Sequence, residues 1–182
     1  MWFRRANDRA EWYHRFMQLA AILCDIRSVH NVGSIFRTAD GAGFEKIYLC
    51  GITPSPFDRF KKIRPDFEKV ALGAEKGITW ESVTDASMII KELKKEGWGI
   101  LALEQSEGSV SLASVSPDVF KDIGTRRVAF VVGNEVGGIS PEVLALADVI
   151  LEIPMFGKKE SLNVSVAFGV AAYYVRLAIG SK

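Results

Sequence analysis

The sequence predicts an α/β domain: a mostly parallel sheet flanked by helices. Three observations carry that expectation. Short apolar or β-branched runs alternate with helical patterns along nearly the whole chain. No linker, repeat or low-complexity stretch interrupts the alternation. The 182 residues are 48% apolar and 25% charged, which fits one globular domain and excludes a disordered or fibrous chain.

Taken in order, Asn7 is placed to cap a helix over Asp8 to Leu19, so residues 1–20 are expected to form an N-terminal helical extension ahead of a domain over 21–182. Strands are predicted at Ala21–Asp25, Lys46–Cys50, Ile78–Glu81, Gly99–Leu103, Arg127–Val132 and Val149–Ile153. Between them lie helical patterns at Asn31–Ala42, Asp66–Glu75, Asp85–Glu96 and Pro141–Ala147. Ser140-Pro141-Glu142 sets a capping hydroxyl, a proline and an acid in the order that a helix start favours. A last helix follows Asn163. Its apolar stretch, Leu162 to Gly180, is interrupted by Asn163 and Arg176 and is too short to cross a bilayer, so it reads as a buried helix.

Charge and cysteine content narrow the function classes. Lysine and arginine number 23 against 22 acids, so no global field advertises a nucleic-acid partner, and any such partner must be held by local patches. Cys24 and Cys50 have neither metal-ligand spacing nor a disulfide framework around them, and no His/Cys/carboxylate cluster offers a metal cage. Residues 1–15 hold four arginines and no signal-like apolar core. The expected location is the cytoplasm.

Ligands of parallel sheets gather at the carboxyl ends of strands, and three loops there carry candidate chemistry. The first leads into Asn31-Val32-Gly33-Ser34-Ile35-Phe36-Arg37-Thr38-Ala39. At about 100° per residue, Val32, Ile35, Phe36 and Ala39 share one apolar arc, and Asn31, Ser34, Arg37 and Thr38 share the opposite one. Singly, Asn31 fits a helix cap and Arg37 a solvated face; together they also fit a helix end that grips phosphate. The second loop, Gly133-Asn134-Glu135-Val136-Gly137-Gly138-Ile139-Ser140, matches neither a P-loop nor a dinucleotide fingerprint, and Glu135 is the unusual residue in it. The third runs from Pro154-Met155-Phe156-Gly157 to Ser161-Leu162-Asn163-Val164-Ser165. A strand end and a capped helix would account for each of its residues singly.

These three runs together resemble the three motifs of the SpoU/TrmH-type SPOUT RNA methyltransferases, in the family's order and spacing, and they frame the chain from about Ala21 onward. Ala71-Leu72-Gly73-Ala74-Glu75 resembles a further family segment. The resemblance implies a methyl transfer from S-adenosylmethionine to a ribose 2′-hydroxyl of tRNA or rRNA, by a homodimer whose C-terminal part is threaded as a trefoil knot. It also implies that Leu103, Gly133, Ile153, Met155 and Leu162 line the cofactor pocket, and that Asn31, Arg37, Glu135, Ser161 and Asn163 occupy catalytic or substrate-facing positions.

Methyl transfer to a hydroxyl requires alignment of the two reactants and removal of a proton. A guanidinium is a poor base, so Arg37 is better suited to gripping the phosphate beside the target ribose; His30 is the more conventional base by residue type. Local positive charge for RNA is expected at Arg59, Lys61, Lys62 and Arg64, interleaved with Phe57 and Phe60, and in the amino-terminal arginines; a solvated loop is the alternative. The aromatic residues Trp2, Phe3, Trp12, Tyr13 and Phe16, with the apolar last helix, suggest a covered dimer face. Two other readings stay open: an inactive RNA-binding protein of the same fold, and a different nucleotide-using α/β enzyme.

Overall fold

The structure is a computed structural model and describes residues 18–115 and 126–180. In chain order the strands are β1 (Gln18–Cys24), β2 (Lys46–Cys50), β3 (Thr79–Val83), β4 (Gly99–Leu103), β5 (Val110–Ser111), β6 (Arg127–Val132) and β7 (Val149–Glu152). The helices are α1 (Val29–Ala42), α2 (Pro65–Ala71), α3 (Ala86–Lys95), α4 (Pro141–Leu144) and α5 (Val164–Gly180). The strands form one seven-stranded sheet, ordered β3-β2-β1-β6-β4-β7-β5, and every pairing in it is parallel.

The central strand shows why its sequence is apolar without alternation. Leu19, Ala21 and Leu23 of β1 face one core with α1 and α5, and Ala20, Ile22 and Cys24 face a second core with α3. A parallel strand covered on both faces has no solvent side to mark with polar residues. On the α1 side, Phe36 meets Phe67 edge to face at 5.2 Å, and Phe130 meets Phe168 in the same manner at 6.3 Å. Arg176 of α5 is buried there. Its guanidinium donates to the carbonyls of Ala42 at 2.8 Å and Gly43 at 2.6 Å, a cation set on the carboxyl end of α1.

Strands β2, β4 and β6 have the expected bounds, and the other elements differ for local reasons. β1 begins at Gln18, which pairs with Arg127, so Gln18 and Leu19 belong to the sheet rather than to a helix. The rest of the expected first helix, the amino-terminal aromatics and the amino-terminal arginines lie outside the described residues. Helix α1 starts at Val29 and is capped by Ser28, not by Asn31: the Ser28 hydroxyl accepts from the Asn31 N–H at 3.3 Å. Helix α2 ends at Ala71 because Leu72 (φ 51°) and Gly73 (φ 90°) turn left-handed; a short 3-10 turn at Ala74–Lys76 follows. Helix α4 stops at Leu144, and Pro141 and Ser140 hold the positions expected of them. β5 is two residues long at a sheet edge, too short to leave a period in the sequence.

Candidate active site

The loops after β1, β4, β6 and β7 meet at the carboxyl edge of the sheet. The glycine-rich run after β6 folds into a tight turn: Asn134 and Gly138 exchange backbone hydrogen bonds at 3.0 and 2.9 Å. The Asn134 side chain accepts from the N–H groups of Val136 (2.8 Å) and Gly137 (3.1 Å) and donates to the Asp25 carbonyl at 2.7 Å. A Cβ on Gly133 would overlap the Gly138 carbonyl, and Gly138 itself sits at φ 65° with its α-hydrogens against the Glu104 carboxylate. Gly133 is therefore required by the turn closing on itself, and Gly138 by its left-handed φ and the Glu104 carboxylate against it; close approach to a ligand is not needed to explain them.

That turn presents Glu135 to the first loop. One carboxylate oxygen accepts from the Arg27 N–H at 3.0 Å, and the other accepts from the Ser28 N–H at 3.1 Å and the Asn31 side-chain amide at 2.9 Å. Partial burial pushes the Glu135 pKa up, but the bonds from the Arg27 backbone, the Asn31 side chain and its own and the Ser28 backbone outweigh it and hold the carboxyl below its ordinary value. Because Asn31 spends its amide N–H on Glu135, its oxygen faces outward and accepts from Asn163 at 3.1 Å. The Asn163 oxygen in turn accepts from the Ser165 N–H (2.9 Å) and hydroxyl (2.7 Å), capping α5. One anion thus sets the direction of a chain of side chains that joins all three loops.

Beside this chain lies a cavity of about 460 Å³, within the usual range of small-ligand sites. Leu103, Gly133, Ile153, Met155 and Leu162, the five expected cofactor residues, all line it, as do Glu135, Ser161 and Asn163. Its charged lining consists of Glu104, Glu135 and Glu152, with no lysine, arginine or histidine among the described residues that line it. Such a wall suits a cationic or neutral ligand and disfavours phosphate. Asn31 reaches the site through its two hydrogen bonds. Arg37 lies exposed on α1, outside the cavity lining and without a hydrogen bond or ion pair among the described residues, and His30 is exposed in the first turn of α1.

Glu104 and Asn134 were missed as site residues. Glu104 directly follows Leu103 at a strand end, and its carboxylate accepts from the N–H groups of Ile139 (2.9 Å) and Gln105 (2.9 Å), tying the loop after β4 to the glycine turn. The signal was its position; an isolated acid there has no motif to single it out. Asn134 stood within a run that reads as an ordinary turn. Of the expected RNA contacts, Arg59, Lys61 and Lys62 are exposed, while Arg64 is half-buried with its Nε buried and unpaired. Cys24 and Cys50 are buried free thiols at paired positions of β1 and β2. The hydrogen bond between them and their burial push the Cys24 pKa up, which makes it an inert core thiol. Among the described residues no group of histidine, cysteine and carboxylate side chains is arranged to hold a metal ion, and no helix is long and apolar enough to cross a membrane.

Comparison with known proteins accords with this geometry. A tRNA (guanosine(18)-2′-O)-methyltransferase of Aquifex aeolicus is 33% identical over 149 residues, which are 82% of this chain and 64% of that protein. A 23S rRNA (guanosine-2′-O-)-methyltransferase of Nitrosomonas europaea is 31% identical over 156 residues, 85% of this chain and 54% of that one. This chain thus spans between about half and two thirds of the length of these relatives. Among solved structures, the A. aeolicus TrmH/SpoU tRNA modifying enzyme superposes with a TM-score of 0.73 at 30% identity, over 94% of this chain and 81% of that one. An AdoMet-bound rRNA methyltransferase from Sinorhizobium meliloti gives 0.75 at 25% identity, over 87% and 56%. The sequence model of the SpoU rRNA methylase family matches residues 18–173. With that span including β1, the glycine turn and most of α5, the chain belongs to the SpoU rRNA methylase family.

Proposed function

We propose that this protein transfers a methyl group from S-adenosylmethionine to a ribose 2′-hydroxyl of tRNA or rRNA. The observation that carries the reading is the Glu135–Asn31–Asn163 chain set beside a cavity whose charged groups, among the described residues, are all carboxylates. The printed activities of the relatives, 2′-O-methylation of tRNA and 23S rRNA guanosines, agree with it. A nucleotide-using enzyme of another kind is disfavoured, because phosphates would meet three glutamates and, among the described residues, no cation.

The residues present fit the cofactor. Leu103, Ile153, Met155 and Leu162 supply apolar walls, and the acidic lining complements a sulfonium and an ammonium group. When bound, S-adenosylmethionine supplies an electrophilic methyl group. In this reading Glu135 is a positioning residue: ionised, with both oxygens already accepting, it is a weak base and serves to orient Asn31. Asn163 and Ser161, which line the cavity, are the groups assigned to the ribose in this reading. Arg37 holds the phosphate next to that ribose and stabilises charge developing on its oxygen, with the proton passing to phosphate or water.

Homodimerisation, a cytoplasmic location and a C-terminal trefoil knot complete the proposal. Val166, Val170, Tyr173 and Leu177 make an exposed apolar stripe along one face of α5, at 52%, 44%, 45% and 55% exposure, which a second copy would cover. Arg37, exposed and outside its own cavity, is then free to serve a site completed across the dimer. Support for the knot comes from the third loop, which leaves β7 beyond β4, is held by Gln105 through the Glu160 carbonyl at 2.9 Å, and returns to Asn31 after β1. The expected extension over 1–20 is shortened to the residues before β1, because Gln18, Leu19 and Ala20 lie in the sheet.

Calorimetry with S-adenosylmethionine tests the cofactor, with binding expected in the presence of a chelator. Light scattering tests the dimer: a monomer at micromolar concentration would contradict it.

A further inference from the structure

The segment between β2 and α2 is long, and its base is pinned. The Thr53 hydroxyl is buried, accepts from the Ile26 N–H at 3.1 Å and lies within bonding distance of the Leu23 and Cys50 carbonyls. Phe57 bridges to Ile63 and stacks on Trp80 at 6.0 Å, and the Arg64 N–H donates to the Pro56 carbonyl at 2.9 Å. Within this frame one oxygen of Asp58 accepts from the N–H groups of Phe60 (2.8 Å) and Lys62 (3.0 Å). The Asp58 N–H donates to the Lys62 carbonyl at 2.8 Å, and Lys61 takes a left-handed φ of 60°.

The consequence is a preformed tip on which Arg59, Phe60, Lys61 and Lys62 are all exposed, Phe60 by 67%. Its one acid, Asp58, is tied to the turn's own backbone, and three exposed cations outnumber it on a chain whose net charge is only +1. The Arg59 guanidinium lies 4.7 Å from the Phe60 ring centroid. An exposed ring with Arg59 against it and Lys61 and Lys62 following it in the turn suits a flat, unstacked base with phosphates beside it.

We infer that the 55–64 loop is a second RNA contact in which Phe60 stacks on an unpaired base while Arg59, Lys61 and Lys62 hold the flanking phosphates. The inference rests on RNA being the substrate and adds a requirement for single-stranded character in it. Arg64, half-buried at the start of α2, is excluded from the contact.

The test measures binding of the full chain to a labelled 12-nucleotide oligouridine, a blunt RNA duplex and anionic phosphatidylglycerol vesicles, with no methyl donor present, so its outcome is independent of whether the protein transfers methyl groups. Phe60→Ala is expected to weaken single-strand binding about tenfold, on the scale of one lost stack, while Phe60→Trp retains it and duplex binding is unchanged. Replacing Arg59, Lys61 and Lys62 by alanine is expected to lower the salt dependence of single-strand binding by about two, at roughly 0.7 per phosphate contact. Wild-type single-strand affinity in Phe60→Ala, an equal loss on the duplex, or a Phe60-dependent interaction seen only with vesicles would overturn the inference. Unchanged thermal unfolding of Phe60→Ala shows that the fold is intact.

Discussion

Asn31 and Asn163 stand 132 positions apart in the chain, and their side-chain amides meet at 3.1 Å. Which end of each amide faces the other is not free. Glu135 takes the Asn31 N–H group, leaving the Asn31 oxygen for Asn163, and the Ser165 donors take the Asn163 oxygen. Three loops from separate strands are therefore held in register by one carboxylate, and substitutions along this chain should affect one another.

Glu135→Gln tests that dependence. An amide offers one acceptor oxygen where Glu135 uses two, so its NH2 group would face an N–H of Arg27 or Ser28 or invert Asn31. Methyl transfer at saturating substrates is expected to fall at least about tenfold. Combining it with Asn163→Ala should cost much less than the product of the two single losses.

The same carboxylate predicts a pH effect. Its folded pKa lies below the ordinary value, so its contribution to stability is fully present above the unfolded pKa of about 4.3 and is lost as pH falls through the folded value. Thermal unfolding of the wild type should decline more steeply than that of Glu135→Gln between about pH 5 and pH 3. Parallel curves would show that the hydrogen bonds at Glu135 contribute nothing to stability; because the group is exposed, the difference is expected to be small.

Gly133→Val should fail for a reason other than blocking a ligand. The new side chain would overlap the Gly138 carbonyl and the Ile139 N–H, which lie within the turn itself. A lower unfolding temperature together with lost S-adenosylmethionine binding is expected. A variant of native stability that only loses the cofactor would return this glycine to the role of ligand contact.

Arg37→Ala separates chemistry from folding. The side chain is exposed and has no partner among the described residues, so fold and cofactor affinity should stay near wild type. Single-turnover transfer at saturating RNA should fall about a hundredfold, with Arg37→Lys recovering only part, since a point charge cannot reproduce a forked contact. A wild-type rate in Arg37→Ala would make Arg37 a solvated surface residue.

Much of this was legible in the residues, and the exceptions have physical causes. β2, β4 and β6 were bounded correctly because each is an apolar run between turn signals, whereas the five cavity residues came from the resemblance of the three runs to the family's motifs and not from periodicity. The start of α1 was misplaced because serine and asparagine are both good caps; only the contact with Glu135 shows why Asn31 does not act as one. Glu104 and Asn134 bond across loops or within a turn, and neither pattern has a period in sequence. Gly133 lines the cavity as expected, and the structure adds a second constraint on it, since a side chain there would meet Gly138.

The central claim is tested most directly by incubating the protein with methyl-labelled S-adenosylmethionine and bulk tRNA and rRNA, then digesting the RNA to nucleosides. The account predicts label in 2′-O-methylnucleosides, abolished by chain-wide 2′-deoxy substitution of the acceptor and strongly reduced in Arg37→Ala. Label in a base-methylated nucleoside, or cofactor binding with no transfer to either RNA pool, would contradict it.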